Sequence, residues 1–336
     1  MSPLELIVSE ASAETSLIRR IVLVAADGSA LTPFAAGAHV TVAVPGVGPR
    51  KYSLVRTVAS AQEPAPQSYT LGVRLDPQGG GGSMFIHGLK VGDRISAEPP
   101  KNDFPLRADT GAVALIGGGI GITPLIGMAA ELKAAGRPFT LVYAARAQRE
   151  LAFLASLQKM LGSQLSIHID DDAGHVFDVK SHFAALGQID RVYMCGPKPM
   201  LKAGMDACRA QGWPRDRLSF ELFYSAAAPV PKPPAIASPV VMAPVPAIDN
   251  FEVVLKSTGQ SFKVPSDKSI LDVLIDAGID PLFDCKKGEC GVCGVGVLEG
   301  IPDHRDSILS ESDRASNKTM QICVSRAKSP HLKLDL

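Results

Sequence analysis

The sequence predicts a multi-domain chain: an all-β barrel, then an α/β domain with a parallel sheet, then a smaller α+β domain. Three observations predict it. Roughly the first hundred residues are short alternating runs broken by glycine and proline. From residue 112 apolar strands alternate with helical stretches. A proline-rich segment then precedes a hairpin, a short helix and a cysteine-bearing loop.

Taken in order, 18–24, 39–44, 51–56 and 69–75 read as barrel strands. The apolar run 112–116 ends in a glycine-rich turn and a helical stretch to residue 135. Strands follow at 139–143, 165–169 and 191–194, with a helix around 151–161 between the first two. Seven prolines fall within 226–248, a composition that builds no core and favours an extended, semi-rigid spacer. The expected boundaries are therefore 1–108, 109–226, a linker 227–248, and 249–336. Beyond the linker, 251–255 and 262–264 flank Thr258-Gly259 as a hairpin. Ser269 opens an amphipathic helix ending near Gly278, with Asp272 set for a capping-box-like contact. No internal repeat is present.

A length of 336 residues, 46% hydrophobic and 20% charged, fits a globular chain with two or three cores. Lysine plus arginine equal aspartate plus glutamate at 34 each, so no whole-molecule field draws nucleic acid or anionic lipid. MSPLELIVSE is no signal peptide, and no apolar stretch is long enough for a membrane span. Six cysteines are too few for a disulfide scaffold, and the expected compartment is the cytoplasm.

Four of those cysteines, Cys285, Cys290, Cys293 and Cys323, carry the sharpest signal. Their C-x4-C-x2-C…C spacing is that of plant-type [2Fe–2S] sites, where each iron takes two thiolates and two bridging sulfides. Zinc sites pair C-x2-C knuckles instead, a weaker fit here. Gly288, Gly291 and Gly294 let the loop turn N–H groups towards sulfur. Cys208 stands alone in a helical stretch and reads as a small buried hydrophobe.

Gly117-Gly118-Gly119-Ile-Gly121-Ile-Thr123-Pro124 follows a strand and opens a helix, the setting for a pyrophosphate site or simply for a tight turn. Cys195-Gly196-Pro197, followed by Met200, repeats the arrangement, and two such turns on one sheet favour binding. In the first domain Arg50, Lys51, Tyr52, Ser53 and Leu54 form a strand segment suited to a phosphate and an aromatic ring. Gly81-Gly82-Ser83 precedes a helix start at Met84 and offers a second phosphate anchor.

Together these segments resemble the phthalate dioxygenase reductase family, the FMN- and [2Fe–2S]-containing NADH reductases of Rieske oxygenases. Asn102-Asp-Phe-Pro-Leu106, Phe220-Glu-Leu-Phe223 and Asp303-His-Arg-Asp306 add to the match, which covers essentially the whole chain. The resemblance implies a flavin-binding barrel, a nicotinamide-binding α/β domain and a β-grasp ferredoxin domain. It implies FMN held by Arg50 and the Gly82-Ser83 turn, with Tyr52 and Ser53 along the isoalloxazine and Ser53 near N5. Lys51, Leu54 and Gly81 complete that site. Ser53, Cys195, Glu221 and Phe223 match catalytic positions, Phe223 being the aromatic that covers the flavin and yields to nicotinamide. The glycines at 117, 118, 119 and 121, with Thr123, Pro124, Cys195, Gly196, Pro197 and Met200, would receive the dinucleotide. Asp171, within Asp170-Asp-Asp172, would disfavour a 2′-phosphate, although Arg146 and Arg149 follow the preceding strand; NADH is the expected donor.

Two departures stand out. Family members often carry arginine where this glycine run has glycine, so one phosphate contact is either missing or supplied elsewhere, as by Lys51 or Arg74, and the linker is unusually long and proline-rich. The implied partner is a Rieske-type terminal oxygenase, docked weakly near the cluster loop with Lys286 and Lys287 as a positive patch, the chain itself being a monomer. Rival readings are a reductase for a haem or diiron monooxygenase, and a non-catalytic redox carrier or sensor.

Overall fold

The computed structural model describes residues 3–56, 66–109, 111–223, 250–309 and 311–336; the expected linker lies outside them. The chain divides into two compact units, the first ending at Phe223.

In the first unit β1 (Leu4–Ala13), β2 (Ile18–Ala25), β3 (His39–Val44), β4 (Gly48–Ser53), β5 (Tyr69–Arg74) and β6 (Arg94–Lys101) form one antiparallel sheet, ordered β4-β3-β6-β1-β2-β5. Alternate residues face one core: Leu6 and Val8, Ile21 and Leu23, Val40 and Val42, Tyr69 and Leu71 are all fully buried. Leu54, just beyond β4, bridges Leu71 of β5, so the two ends of the strand order meet. The expected strand 51–56 thus lies three residues earlier, because the turn glycines Gly46 and Gly48 start its pairing with β3 sooner. β6 gave no sequence signal because Pro99 and Pro100 interrupt it. The structure absorbs them where the β3–β6 register shifts between His39 and Thr41.

The same unit carries a parallel sheet of β7 (Val113–Gly118), β8 (Phe139–Ala145), β9 (Leu165–Ile169), β10 (Arg191–Cys195) and β11 (Leu218–Glu221), ordered β11-β10-β7-β8-β9. β7 is wholly buried, as a central parallel strand covered on both faces must be. The chain winds outward through β8 and β9, then returns to the other side of β7 with β10. That reversal between β7 and β10 is the topological switch point of the sheet, where open α/β sheets place their ligands.

The second unit holds β12 (Phe251–Leu255), β13 (Ser261–Val264), β14 (Gly294–Glu299), β16 (Thr319–Gln321) and β18 (His331–Asp335) in one mixed sheet, ordered β13-β12-β18-β14-β16. A separate pair joins β15 (Pro302–Asp303) to β17 (Arg326–Ala327). The helix Ile270–Asp276 buries Ile270, Leu271 and Leu274 on this sheet, each worth about 1.5–3 kcal/mol. Ser269 caps it as expected: its hydroxyl accepts from Asp272 N at 3.0 Å and donates to the Asp272 carboxylate at 2.7 Å.

Candidate functional site

Three groups of residues come together. The first lies where β4 faces the helix Gly82–Gly88. A Cβ on Gly82 would sit 2.8 Å from Tyr52 Oη and 2.9 Å from Arg50 Cγ, so Arg50, Tyr52 and Gly82 share one small space. Gly81 precedes it in the left-handed region at φ 87°, a position that favours glycine. The Ser83 hydroxyl accepts from Asp76 N (3.0 Å) and donates to Asp76 O (3.2 Å), an assignment its sequence position did not reveal. Lys51 pairs with Asp103 at 2.9 Å and Arg74 with Glu150 at 3.3 Å; both spare cations therefore carry a carboxylate partner.

The second group is built on the switch point. Gly118 and Gly121 close directly on the turn after β10: a Cβ on Gly118 would meet Pro197 Cδ at 2.8 Å and Met200 Sδ at 2.9 Å, and one on Gly121 would meet Cys195 O at 2.3 Å. A Cβ on Gly196 would in return lie 3.1 Å from Gly118 Cα. The two glycine turns are thus a single packed surface, with Gly117 and Gly118 ending β7, Gly119 following at φ 54°, and Thr123 and Pro124 buried in the helix Ile122–Ala134. Asp171 sits in the helical turn Asp170–Ala173 after β9, its N–H donating to Arg146 O at 2.9 Å.

Cys195 and Glu221 stand opposite each other across β10 and β11. Burial raises the Cys195 thiol well above its ordinary value, and the Glu221 charge adds to it. Glu221 Oε2 is enclosed and meets no hydrogen-bond partner among the described residues. Burial, then the Asp103 charge, push this carboxyl up to about 8, against the pull of Lys51. Phe223, two residues on, is 37% exposed. Ser53 is buried and lies opposite His39.

His39 and Asp103 are residues that sequence reasoning gave no role. His39 Nε2 lies 3.8 Å from the Asp103 carboxylate that binds Lys51. Burial, then Lys51, hold the imidazole down to about 4, so it is neutral near pH 7. The signal lay in the Asn102-Asp-Phe run: Asn102 donates to Ala36 O at 2.9 Å and accepts from Phe104 N at 3.1 Å, which turns Asp103 towards Lys51.

The third group is the cysteine loop of the second unit. The sulfurs fall into two pairs, Cys285 with Cys290 and Cys293 with Cys323, the latter 3.1 Å apart. Two such pairs supply the four thiolates that a binuclear cluster requires. The hydrogen bond from Cys290 pushes the Cys285 thiol down to about 4, aided by the backbone N–H groups of Lys287, Glu289 and Cys290. The hydrogen bond from Cys293 lowers Cys323 likewise. The same contacts push Cys290 and Cys293 up, so each pair shares one proton that metal binding would displace; four paired sulfurs are the donor set a binuclear cluster takes. Positive φ at Lys286, Gly288 and Gly291 bends the loop, and Ser307 N holds Gly288 O at 3.0 Å. Lys286 is tied to Asp272 (3.1 Å) and lies over Phe283, while Lys287 is exposed. Cys208 is buried, as its helical setting predicted.

Comparison with known proteins matches these parts. Residues 115–205 match the oxidoreductase NAD-binding domain, and 253–328 the 2Fe-2S iron-sulfur cluster binding domain. A vanillate O-demethylase oxidoreductase of Pseudomonas sp. (strain HR199 / DSM 7063) is 38% identical over 99% of this chain and 100% of its own length. A tetrachlorobenzoquinone reductase of Sphingobium chlorophenolicum is 38% identical over 92% of this chain and 90% of its own. The solved phthalate dioxygenase reductase, described as a modular structure for electron transfer from pyridine nucleotides to [2Fe-2S], aligns over 100% of this chain and 98% of its own (33% identity, TM-score 0.63). An intact type IV self-sufficient cytochrome P450 monooxygenase aligns over 99% of this chain, which spans only 41% of that protein (34% identity, TM-score 0.64). With a nucleotide turn at a sheet switch point, a paired-cysteine loop, and relatives alike over nearly its full length, this chain is an oxidoreductase and belongs to the phthalate dioxygenase reductase family.

Proposed function

We propose that this chain is the NADH-dependent reductase component of a two-component Rieske oxygenase or demethylase acting on an aromatic compound. The single observation that carries the proposal is the presence, in one chain, of a paired-glycine nucleotide turn and a paired-thiolate loop. NADH gives up two electrons as hydride and a [2Fe–2S] centre holds one, so a flavin must stand between them; bound FMN supplies that conversion. A plant-type cluster, near roughly −400 mV, would make a donor strong enough for many acceptors.

The chain's own residues hold and orient. Arg50 and the Gly81-Gly82-Ser83 turn receive the flavin phosphate, with Ser83 acting through its backbone because its hydroxyl is engaged by Asp76. Tyr52 and Ser53 would line the ring, Ser53 towards N5, with Leu54 buried beside them, and Lys51 would act through its pair with Asp103. The turns Gly117–Gly121 and Cys195–Pro197, bordered by Thr123, Pro124 and Met200, accept the dinucleotide, with Asp171 towards the adenosine ribose. Cys195 and Glu221, both kept neutral near pH 7 by burial, border the nicotinamide without adding charge. Phe223, already 37% exposed, would cover the flavin and give way to nicotinamide.

The finer architecture follows the same proposal: the six-stranded sheet is a closed barrel, the last unit a β-grasp, and the domain boundaries fall at 108/109, 226/227 and 248/249. The oxygenase docks transiently near the cluster loop, with Lys287 as a better contact than the tethered Lys286. The chain acts as a cytoplasmic monomer; among the described residues no helix is long and apolar enough to cross a membrane. The test is an anaerobic NADH titration of the purified protein, followed by release and identification of the flavin. Turnover is then reconstituted with a Rieske oxygenase or a haem monooxygenase as acceptor. NADH reduction without FMN, or coupling to the haem enzyme alone, refutes the corresponding part.

A further inference from the structure

Gln321 ends β16 directly opposite Gly294 of β14, inside the second unit's core. Its side chain is 0% exposed. The amide oxygen lies 3.4 Å from Cys293 Sγ, and the amide nitrogen meets no acceptor among the described residues. Gly294 makes room for this placement, since a Cβ there would lie 3.1 Å from Gln321 Nε2. The backbone carbonyl of Gln321 accepts from Ser325 N at 3.0 Å, which fixes the strand end that carries Cys323.

A buried amide has two donors to satisfy, and leaving them unpaired is costly. Cys293 as a cluster ligand is a thiolate with no proton to give. The contact then has only one favourable sense: the amide turns about its last bond and presents N–H to the sulfur. The two ends of an amide are near-isosteric, so this needs no backbone movement.

We propose that Gln321 is a positioning residue for the cluster, donating a side-chain N–H···S bond to the Cys293 thiolate and so raising the reduction potential of the electron exit. An N–H dipole aimed at a ligand sulfur stabilises the extra negative charge of the reduced state, the means by which outer groups tune such centres. The inference rests on the proposed role of Cys293 as a ligand.

The test uses the full-length holoprotein. Gln321→Met keeps the shape and removes the donor. Its EPR-monitored midpoint is expected to fall about tenfold in reduced-to-oxidised ratio at fixed poise, which is about 59 mV for one electron. Spin count per flavin stays at the wild-type value. Wild-type protein labelled with 15N in glutamine side-chain amides is expected to show a 15N hyperfine coupling to the reduced cluster that Gln321→Met lacks. An unshifted midpoint with full spin count overturns the inference, as does absence of the coupling in the wild type, which also decides the matter where Gln321→Met fails to assemble. Absence of any [2Fe–2S] signal in the reduced wild type instead overturns the ligand assignment beneath it.

Discussion

Gly121→Ala puts the proposed nucleotide site under the sharpest strain. The new Cβ would lie 2.3 Å from Cys195 O, 2.5 Å from Cys195 C and 2.8 Å from Gly196 N. Comfortable C···O approach begins near about 3.3 Å, so the two turns must part by about 1 Å. All three obstructing atoms are backbone, and no rotamer change relieves them. Overpacking of this kind costs roughly 1–3 kcal/mol in stability. Its larger effect is on geometry, because a misplacement of about 1 Å at a reacting pair costs on the order of 100-fold. The expected outcome is therefore a kcat/KM for NADH in flavin reduction, followed by anaerobic stopped flow, lowered on the order of 100-fold in a protein that still folds. Gly187→Ala is the control, since no heavy atom lies within 4 Å of a Cβ there. Gly121→Ala with wild-type reduction kinetics would mean that the packed turns do not set the nicotinamide position.

Cys293→Ser is expected to cripple NADH-driven cytochrome c reduction while sparing NADH–ferricyanide activity, because hydride acceptance precedes the cluster; equal loss of both points to misfolding or another electron order. Glu221→Gln tests the raised carboxyl. Its stabilising proton is fully present below the ordinary value of 4.5, declines in effect as the unfolded chain deprotonates, and is gone once pH passes about 8. The Tm advantage of Glu221→Gln over wild type should accordingly widen as pH rises towards about 8 and then level off; a gap constant with pH speaks against a buried neutral Glu221. Ser269→Ala removes the cap at Asp272 and should cost about 1 kcal/mol in urea unfolding followed by the visible cluster signal, with no change in flavin reduction.

How much was legible in the sequence differs by element. β3 and β9 begin and end where alternation and apolar runs predicted, because each is a short strand bounded by turn-forming residues. β6 was hidden by its own prolines, and β15 and β17, two residues each, are too short to carry any period. In the sites, the motifs located the glycine turns and the cysteines, since those residue types have few other uses at that spacing. They did not reveal Ser83 engaged by Asp76, Lys286 by Asp272, or His39 beside Asp103. Each of these is a contact made across sequence by a side chain that is ordinary in isolation.

Both sites lean on glycine, and for different physical reasons that follow from the chemistry at each. At the proposed nicotinamide site, Gly118, Gly121 and Gly196 matter because a Cβ would collide with the facing turn. Hydride transfer needs reacting atoms within about 3–3.5 Å, so the surface that seats the donor must be packed without slack. In the cysteine loop, Gly288 and Gly291 adopt positive φ in a turn whose backbone N–H groups reach the Cys285 and Cys323 sulfurs, although a Cβ on Gly288 would also crowd Val324. Electron transfer over a distance tolerates positional slack but depends on the free energy of the reduced centre, which those N–H dipoles set. Steric substitutions in the first unit should therefore act mainly on the rate of reduction by NADH. Substitutions that remove an N–H from the cysteine loop should act mainly on the cluster potential and leave that rate alone.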